Sequence, residues 1–342
     1  MSIRGENAAG SFVSPDITRL DGVSELPPPL HDGVVAIGNF DGVHRGHQAV
    51  LERALDEARR RGAPAIVLTF EPHPRSVIRP DIPIFRLTPA SLRARLLAVL
   101  GFHAVVELPF TRDFAAQSAE GFITDILDKG LGVSHVVTGF DFHFGKNRQG
   151  GPAYLMEAGE RHGFGVTLVD AFRDEGASVV SSSRIRTFLA EGEIAQAAGQ
   201  LGYRFTIEAP VVHGKQLGRT LGFPTANMEL PAETALAHGI YAVRFRRQDG
   251  SLHDGVASFG RRPTVDEAGA VLLETYLFDF SGDLYGENCL VSFFGYLRGE
   301  EKFSSLEELT AQMRRDEEEA RALLTGVKPF SGLDLAATFE GR

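Results

Sequence analysis

Two stretches of this 342-residue chain carry residue types and spacings that could do chemistry. In GVVAIGNFDGVHRGHQAVLERAL, an apolar run leads through Gly38, Gly42 and Gly46 into a helical pattern, with His44 and His47 three residues apart. Glycines at a strand-to-helix turn let backbone N–H groups approach an anion at the positive end of the helix. If the helix begins near Val43, both imidazoles project from one face, placed to donate hydrogen bonds to a phosphate chain and to a departing pyrophosphate. The competing readings are a tight turn with solvated histidines, or half of a zinc site; the lack of cysteine partners weighs against zinc. The second stretch, HGKQLGRTLGFPTANM, sets Gly214, Gly218 and Gly222 four apart and then gives Pro224, Thr225 and Asn227. Its lysine and spacing are not those of a Walker A loop. Glycines would again let a loop wrap phosphates, and the Thr225 hydroxyl and Asn227 amide oxygen are hard ligands suited to Mg2+. A purely structural turn would use the same residue types.

The elements that must position these residues differ between the two halves. Residues 1 to 32 are polar, end in Pro27-Pro28-Pro29 and read as a lead-in. From Gly33 to about Phe172, short apolar runs alternate with amphipathic ones, which predicts a parallel sheet covered on both faces, with ligands at the carboxyl ends of its strands. Beyond Gly202 the segments are rich in β-branched and aromatic residues, with turns at Asp249-Gly250 and Ser281-Gly282-Asp283, and read as a small antiparallel barrel. Ser305 and Glu308 form a capping-box pattern ahead of one closing helix. The predicted domains are 15–200 and 201–330, consistent with a length of about two domains.

Composition narrows the class. Forty-five acidic residues against 35 basic give a net charge of −10, so the positive field of a general nucleic-acid binder is missing. The single cysteine, Cys289, excludes an intramolecular disulfide and suits a reducing cytoplasm. No signal peptide and no apolar run of ~18 residues is present, so a membrane span is not expected. Glycine, at 38 residues, is in excess and clusters in the motifs above. The sequence leaves room for a weak homo-oligomer.

GNFDGVHRGH resembles the HxGH signature of nucleotidylyltransferases, and LTFEPHP (Leu68 to Pro74), TGFDFHFGKNRQG (Thr138 to Gly150) and SSSRIR (Ser181 to Arg186) follow in the order seen in the adenylyltransferase module of bacterial bifunctional riboflavin kinase/FAD synthetases. The resemblance implies a Rossmann-like α/β domain with ATP over Gly38, Asn39, Phe40, Asp41, Gly42 and Gly46. It further implies His44 and His47 on the phosphates, and Arg186 with Ser182 and Ser183 on the β- and γ-phosphates. Phe70, His73, Asp141, Phe142 and Phe144 would line the flavin or adenine pocket, since aromatic faces stack on planar rings. On its own, SSSRIR is also what a serine-capped surface helix looks like.

In the second half, GRTLGFPTAN, FGRRPT, ETYLFDFSGDLYG and LRGEEKFSSLEELTAQMRRD resemble riboflavin kinases. This implies Gly214, Gly218, Arg219, Gly222 and Pro224 around ATP, Thr225 and Asn227 as Mg2+ ligands, and Glu274 as the base that deprotonates the riboflavin hydroxyl. The implied substrates are riboflavin, FMN and ATP, and the implied products FMN and FAD. Tyr276 and Ser258 stand where many relatives have His and Asn. Two alternatives stay open: a nucleotidylyltransferase for another phosphate-bearing acceptor, and a catalytically silent flavin-binding regulator.

Overall fold

The computed structural model describes residues 17–24, 26–214, 223–261 and 271–340. The chain forms two compact units, one of Ser14–Arg186 with Gln200–Gly202, the other containing Thr187–Gly199 and Tyr203–Arg342.

The first unit is built on six parallel strands: β1 (Thr18–Asp21), β2 (Val34–Ile37), β3 (Ala65–Glu71), β4 (Ala104–Pro109), β5 (His135–Gly139) and β6 (Gly165–Val169), in the spatial order β1-β4-β3-β2-β5-β6. Every residue of β2 is buried, as an apolar run covered on both faces should be. The order steps outward from β2 through β3 to β4, then resumes on the other side with β5, so the reversal lies between β2 and β5. Such a switch point opens a crevice at the strands' carboxyl ends. The β2 end carries Gly38 to His47, and the β5 end carries Gly139 to Gly150.

One expectation fails here. The lead-in contributes β1, an edge strand paired in parallel with β4 from Thr18↔Ala104 to Asp21↔Glu107. Its four residues are mostly exposed, so it carries too little hydrophobic periodicity to be read as a strand.

The second unit is an antiparallel sheet of β7 (Thr206–Pro210), β8 (Thr225–Leu230), β9 (Gly239–Arg246), β10 (Leu252–Arg261), β11 (Val271–Leu277) and β12 (Asn288–Arg298), in the order β7-β12-β9-β10-β11-β8. A bridge between Val212, just past β7, and Asn227 of β8 brings the two edges together into a nearly closed barrel. Tyr241, Val243, Phe245, Phe259, Leu273, Val291 and Phe293 are fully buried and fill it. The helix Leu306–Leu324 packs Ala320 and Leu324 beside Ala242 and Phe278, with Val256 and Tyr276 against them. Ser305 caps it, its side chain accepting from Glu308 N at 3.1 Å, while Glu308 returns to Ser304 N at 3.0 Å.

Candidate functional sites

The turn after β2 is held from three directions. Gly38 N donates to Leu68 O at 3.2 Å, tying the turn to β3. The Asn39 carbonyl accepts from Thr69 Oγ1 at 3.2 Å and faces Arg93 Nη1 at 3.5 Å. Gly42 N donates to Thr88 Oγ1 at 2.9 Å. Phe40, Gly42 and Val43 all have positive φ, at 48°, 92° and 40°; for β-branched Val43 this is a strained conformation that the tethers enforce.

The helix starts at Arg45, two residues later than the sequence suggests, because His44 serves as its N-cap. His44 Nδ1 accepts from His47 N at 3.2 Å, so in the neutral ring the proton sits on Nε2, free to donate elsewhere. The two imidazoles nevertheless share a face: their rings stack at 3.5 Å, and His47 meets Phe40 edge-on at 5.4 Å. Burial lowers the His44 pKa to about 4 against the opposing field of Asp41, and burial together with His44 lowers that of His47. Both rings are therefore neutral near pH 7, and the buried Nδ1 of His47 has no hydrogen-bond partner among the described residues.

Asp41 organises the rest. It is 2% exposed; Oδ1 accepts from Thr88 N at 3.1 Å, and Oδ2 accepts from Arg186 Nη2. Arg186 also donates Nε to Phe85 O at 2.7 Å, and Ser182 Oγ donates to Asp41 O at 2.9 Å. The helix Ser182–Ala190, which carries Ser183, is thereby brought to the turn. Burial lowers the Arg186 pKa, with Asp41 opposing and Arg75 and Arg86 adding to the effect.

His73 caps the helix Pro74–Ile78 by accepting from Arg75 N at 3.1 Å. Its pKa falls to about 4 through burial first, with the charges of Asp41, Arg86, Arg186 and Glu71 acting on it. The expected pocket residues separate. Asp141 is exposed, Phe142 is half-buried and stacks on Phe144 at 5.5 Å, and Phe144 is only 6% exposed, packed against Phe122 at 5.1 Å and Tyr154 at 6.0 Å. Phe70, likewise buried, meets Phe110 and Phe114 at 5.8 and 6.0 Å. Phe70 and Phe144 thus belong to the domain core.

Sequence reasoning missed a chain of charges behind the turn. Arg86 grips Glu71 at 2.9 and 3.2 Å; Arg93, 1% exposed, bridges Glu71 at 3.1 Å and Glu107 at 2.7 Å; Arg19 reaches Glu107 at 2.8 Å. Only Glu71, inside LTFEPHP, sat in a motif; the arginines carry no local signal.

In the barrel, β8 and β11 pair Asn227 with Glu274 and Thr225 with Tyr276, and β10 sets Ser258 opposite Glu274. Directly paired residues share a face, so Ser258, Glu274, Asn227, Tyr276 and Thr225 lie on one side, opposite the interior residues Leu273 and Ala257. Glu274 is exposed. Asn227 is buried, its Nδ2 donating to Thr225 O at 3.1 Å, while Oδ1 has no partner among the described residues. Gly214 lies against this amide; a Cβ there would stand 2.4 Å from Nδ2. Pro224 and Thr225 line a cavity of about 520 Å3 closed by Phe280 to Tyr285, and Tyr285 stacks on His213 at 3.8 Å. Tyr276 meets Phe223 edge-on at 5.0 Å. Gly218, Arg219 and Gly222 lie outside the described residues.

An α/β unit with its glycine turn at the switch point, and a barrel with Thr-x-Asn on the strand paired to Glu274, define a nucleotidyltransferase-type domain joined to a riboflavin-kinase-type domain. The family model for FAD synthetase matches residues 27–184 and that for riboflavin kinase residues 201–324. A bifunctional riboflavin kinase/FMN adenylyltransferase of Escherichia coli (strain K12) is 42% identical over 310 residues, covering 90% of this chain and 98% of that protein. Its Listeria monocytogenes counterpart is 39% identical over 84% of this chain and 91% of its own. The chain belongs to the family of bifunctional riboflavin kinase/FMN adenylyltransferases. A solved structure described as a macrolide-efflux protein of Streptococcus pneumoniae is also similar, with a TM-score of 0.77 and 31% identity over 89% of this chain and 98% of that one. Efflux is said of that protein; among the described residues here, no helix is long and apolar enough to cross a membrane.

Proposed function

We propose that the barrel phosphorylates riboflavin with ATP to FMN, and that the α/β unit joins FMN to the adenylyl group of a second ATP, giving FAD and pyrophosphate. The observation that carries this is the pair of family domains in one chain; it is supported by Arg186 on Asp41 at the glycine turn of the first and by Asn227 in register with Glu274 in the second.

In adenylyl transfer the nucleophile is the FMN phosphate, already anionic. An oxygen of that phosphate bonds to the α-phosphorus of ATP as the bond to the β-phosphate oxygen breaks, so the protein must position and neutralise rather than deprotonate. Supporting this reading, the carboxylates at the turn are engaged by arginines, while neutral His44 keeps an Nε2 donor for the leaving phosphates. In this scheme the turn Gly38–His47 cradles the phosphates, and Arg186, with the serines at its helix start, meets the β- and γ-phosphates. The half-buried Phe142 and the exposed Asp141 border the flavin or adenine, with Phe70 and Phe144 as the packed wall behind them.

In the kinase step the nucleophile is a neutral alcohol. Its oxygen attacks the γ-phosphorus, ADP leaves, and the proton passes to a base. Exposed Glu274, in register with Asn227, fills that role in this reading. The buried Asn227 Oδ1, lacking a partner among the described residues, and the Thr225 hydroxyl fit Mg2+ and would hold it. When bound, that ion neutralises phosphate charge. The cavity beside Pro224 and Thr225 takes the nucleotide. We place both reactions in the cytoplasm, with small-molecule partners and no nucleic acid.

Incubating the pure protein with riboflavin, ATP and Mg2+ and separating the flavins by chromatography tests the assignment: FMN should appear first and FAD follow. If neither forms, it fails. Formation of FMN alone, with another phosphate-bearing acceptor adenylylated, would favour the alternative nucleotidylyltransferase.

A further inference from the structure

Arg86 is outside every motif read in the sequence, yet it sits at the junction of the adenylyl site's charges. The segment Phe85–Thr88 is bound to the turn twice, by Thr88 N on Asp41 Oδ1 (3.1 Å) and Gly42 N on Thr88 Oγ1 (2.9 Å), and to Arg186 once, by its Nε on Phe85 O (2.7 Å). From within it, the Arg86 guanidinium grips both oxygens of Glu71, while its buried Nε, with no hydrogen-bond partner among the described residues, lies 3.6 Å from Asp41 Oδ1. Two guanidiniums thus share one nearly buried carboxylate: Arg186 bonds it directly, and Arg86 balances it from the other side. A two-pronged Arg–carboxylate contact fixes direction as well as charge. Removing it takes away the segment's anchor on Glu71 and leaves Asp41 and the Arg186 side chain held by the remaining bonds alone.

We propose that Arg86 is a positioning residue for adenylyl transfer: anchored on Glu71, it fixes Asp41 and the Phe85–Thr88 segment, and through them aims Arg186 over the turn Gly38–His47. The inference rests on the reading of Arg186 as a phosphate ligand. A displacement of about 1 Å at a reacting centre can cost about 10²-fold in rate, which sets the size of the effect.

The test is a double-mutant cycle in the full chain, measuring FMN-to-FAD turnover, with riboflavin phosphorylation and the calorimetric melting profile followed alongside. Arg86→Met should lower kcat for FAD formation about 10²-fold, leave KM for FMN within about twofold and leave FMN formation unchanged. In an Arg186→Met background the same change should cost no more than about threefold further. Arg86→Lys, which restores a cation but not the two-pronged grip, should recover only part of the rate. Glu71→Gln breaks the same grip from the other side and should reproduce both the loss and the non-additivity, which keeps the test available if Arg86→Met unfolds. Fully multiplicative effects, full recovery by Lys, or wild-type kcat in Arg86→Met or Glu71→Gln would each overturn the proposal. If instead Arg186→Met alone leaves FAD formation intact, the reading of Arg186 fails, a result distinct from failure of the Arg86 link.

Discussion

The two candidate sites use charge in opposite ways. Around the turn after β2 the carboxylates are bound by arginines, buried Asp41 by Arg186 and half-buried Glu71, at the end of β3, by Arg86 and Arg93, and the histidines are neutral. On the barrel's outer face, Glu274 is exposed and has no ion pair among the described residues, beside a buried amide oxygen without a partner. In the function proposed, the difference follows the nucleophile. A phosphate needs no base, so acids near it serve as struts for cations; an alcohol needs one, so an acid is left accessible. The acidic chain as a whole repels nucleotides; in the function proposed, the first site answers with placed arginines and the second with ligands for a cation.

The largest expected effect breaks the comparison outright. Glu274→Ala should reduce FMN formation by 10³-fold or so, within the range of general-base catalysis, while FMN-to-FAD conversion in the same protein stays near wild type. His47→Ala should do the reverse, by roughly 10²-fold. Assaying each step separately with riboflavin or FMN reads both. If either change stops both steps in a folded chain, the two-site division is wrong.

Next comes acidity. The His44 pKa is depressed to about 4 by burial, and that of His47 is depressed too, so between pH 6.5 and about 4 the unfolded chain binds protons that the folded one refuses. Stability must therefore fall as pH drops through that window. With each pKa unit worth about 1.4 kcal/mol, His44 alone accounts for about 3 kcal/mol. Calorimetric unfolding from pH 7 to 4.5 should show the decline, and His44→Gln should flatten it. An unchanged slope would show that this turn is not the neutral site described above.

How much was legible follows from distance along the chain. His44, His47 and the Ser305 cap are relations of three residues, which spacing can reveal even though the helix start moved from Val43 to Arg45. The strand-helix alternation and the later β-rich texture revealed both folds, because apolar runs and turns are local. Asp41 meets Thr88 and Arg186 across 47 and 145 residues, and Arg93 meets Glu107 and Asn39 through the sheet. No spacing encodes such pairs. Phe144 shows the converse limit: a motif residue can be packed into the core, since an aromatic ring suits either setting.

A milder change sharpens the barrel side. A Cβ at Gly214 would fall 2.4 Å from Asn227 Nδ2, inside contact distance, so the amide must turn or the backbone must shift. Gly214→Ala should raise KM for ATP in the kinase reaction about tenfold, as a rotated Oδ1 would no longer face the cation. FAD formation from FMN should be unaffected. Initial-rate kinetics at varied ATP tests this, and equal KM values would remove Asn227 Oδ1 from the cation site.

The smallest effect isolates stability from chemistry. Ser305 caps the helix Leu306–Leu324, whose buried Ala320 and Leu324 pack beside Phe278 and Tyr276, on the strand that carries Glu274 and its continuation. Ser305→Ala removes one cap bond to Glu308 N and should cost about 1 kcal/mol. Glu308 still holds Ser304 N, so the helix start is weakened rather than lost. Both reactions should keep their kcat at 25 °C while the barrel unfolds at slightly lower urea concentration. A fall in kinase kcat without loss of stability would mean that this helix tunes the Glu274 face directly, and the contrast between a strutted adenylyl site and an open kinase site would need the helix as a third component.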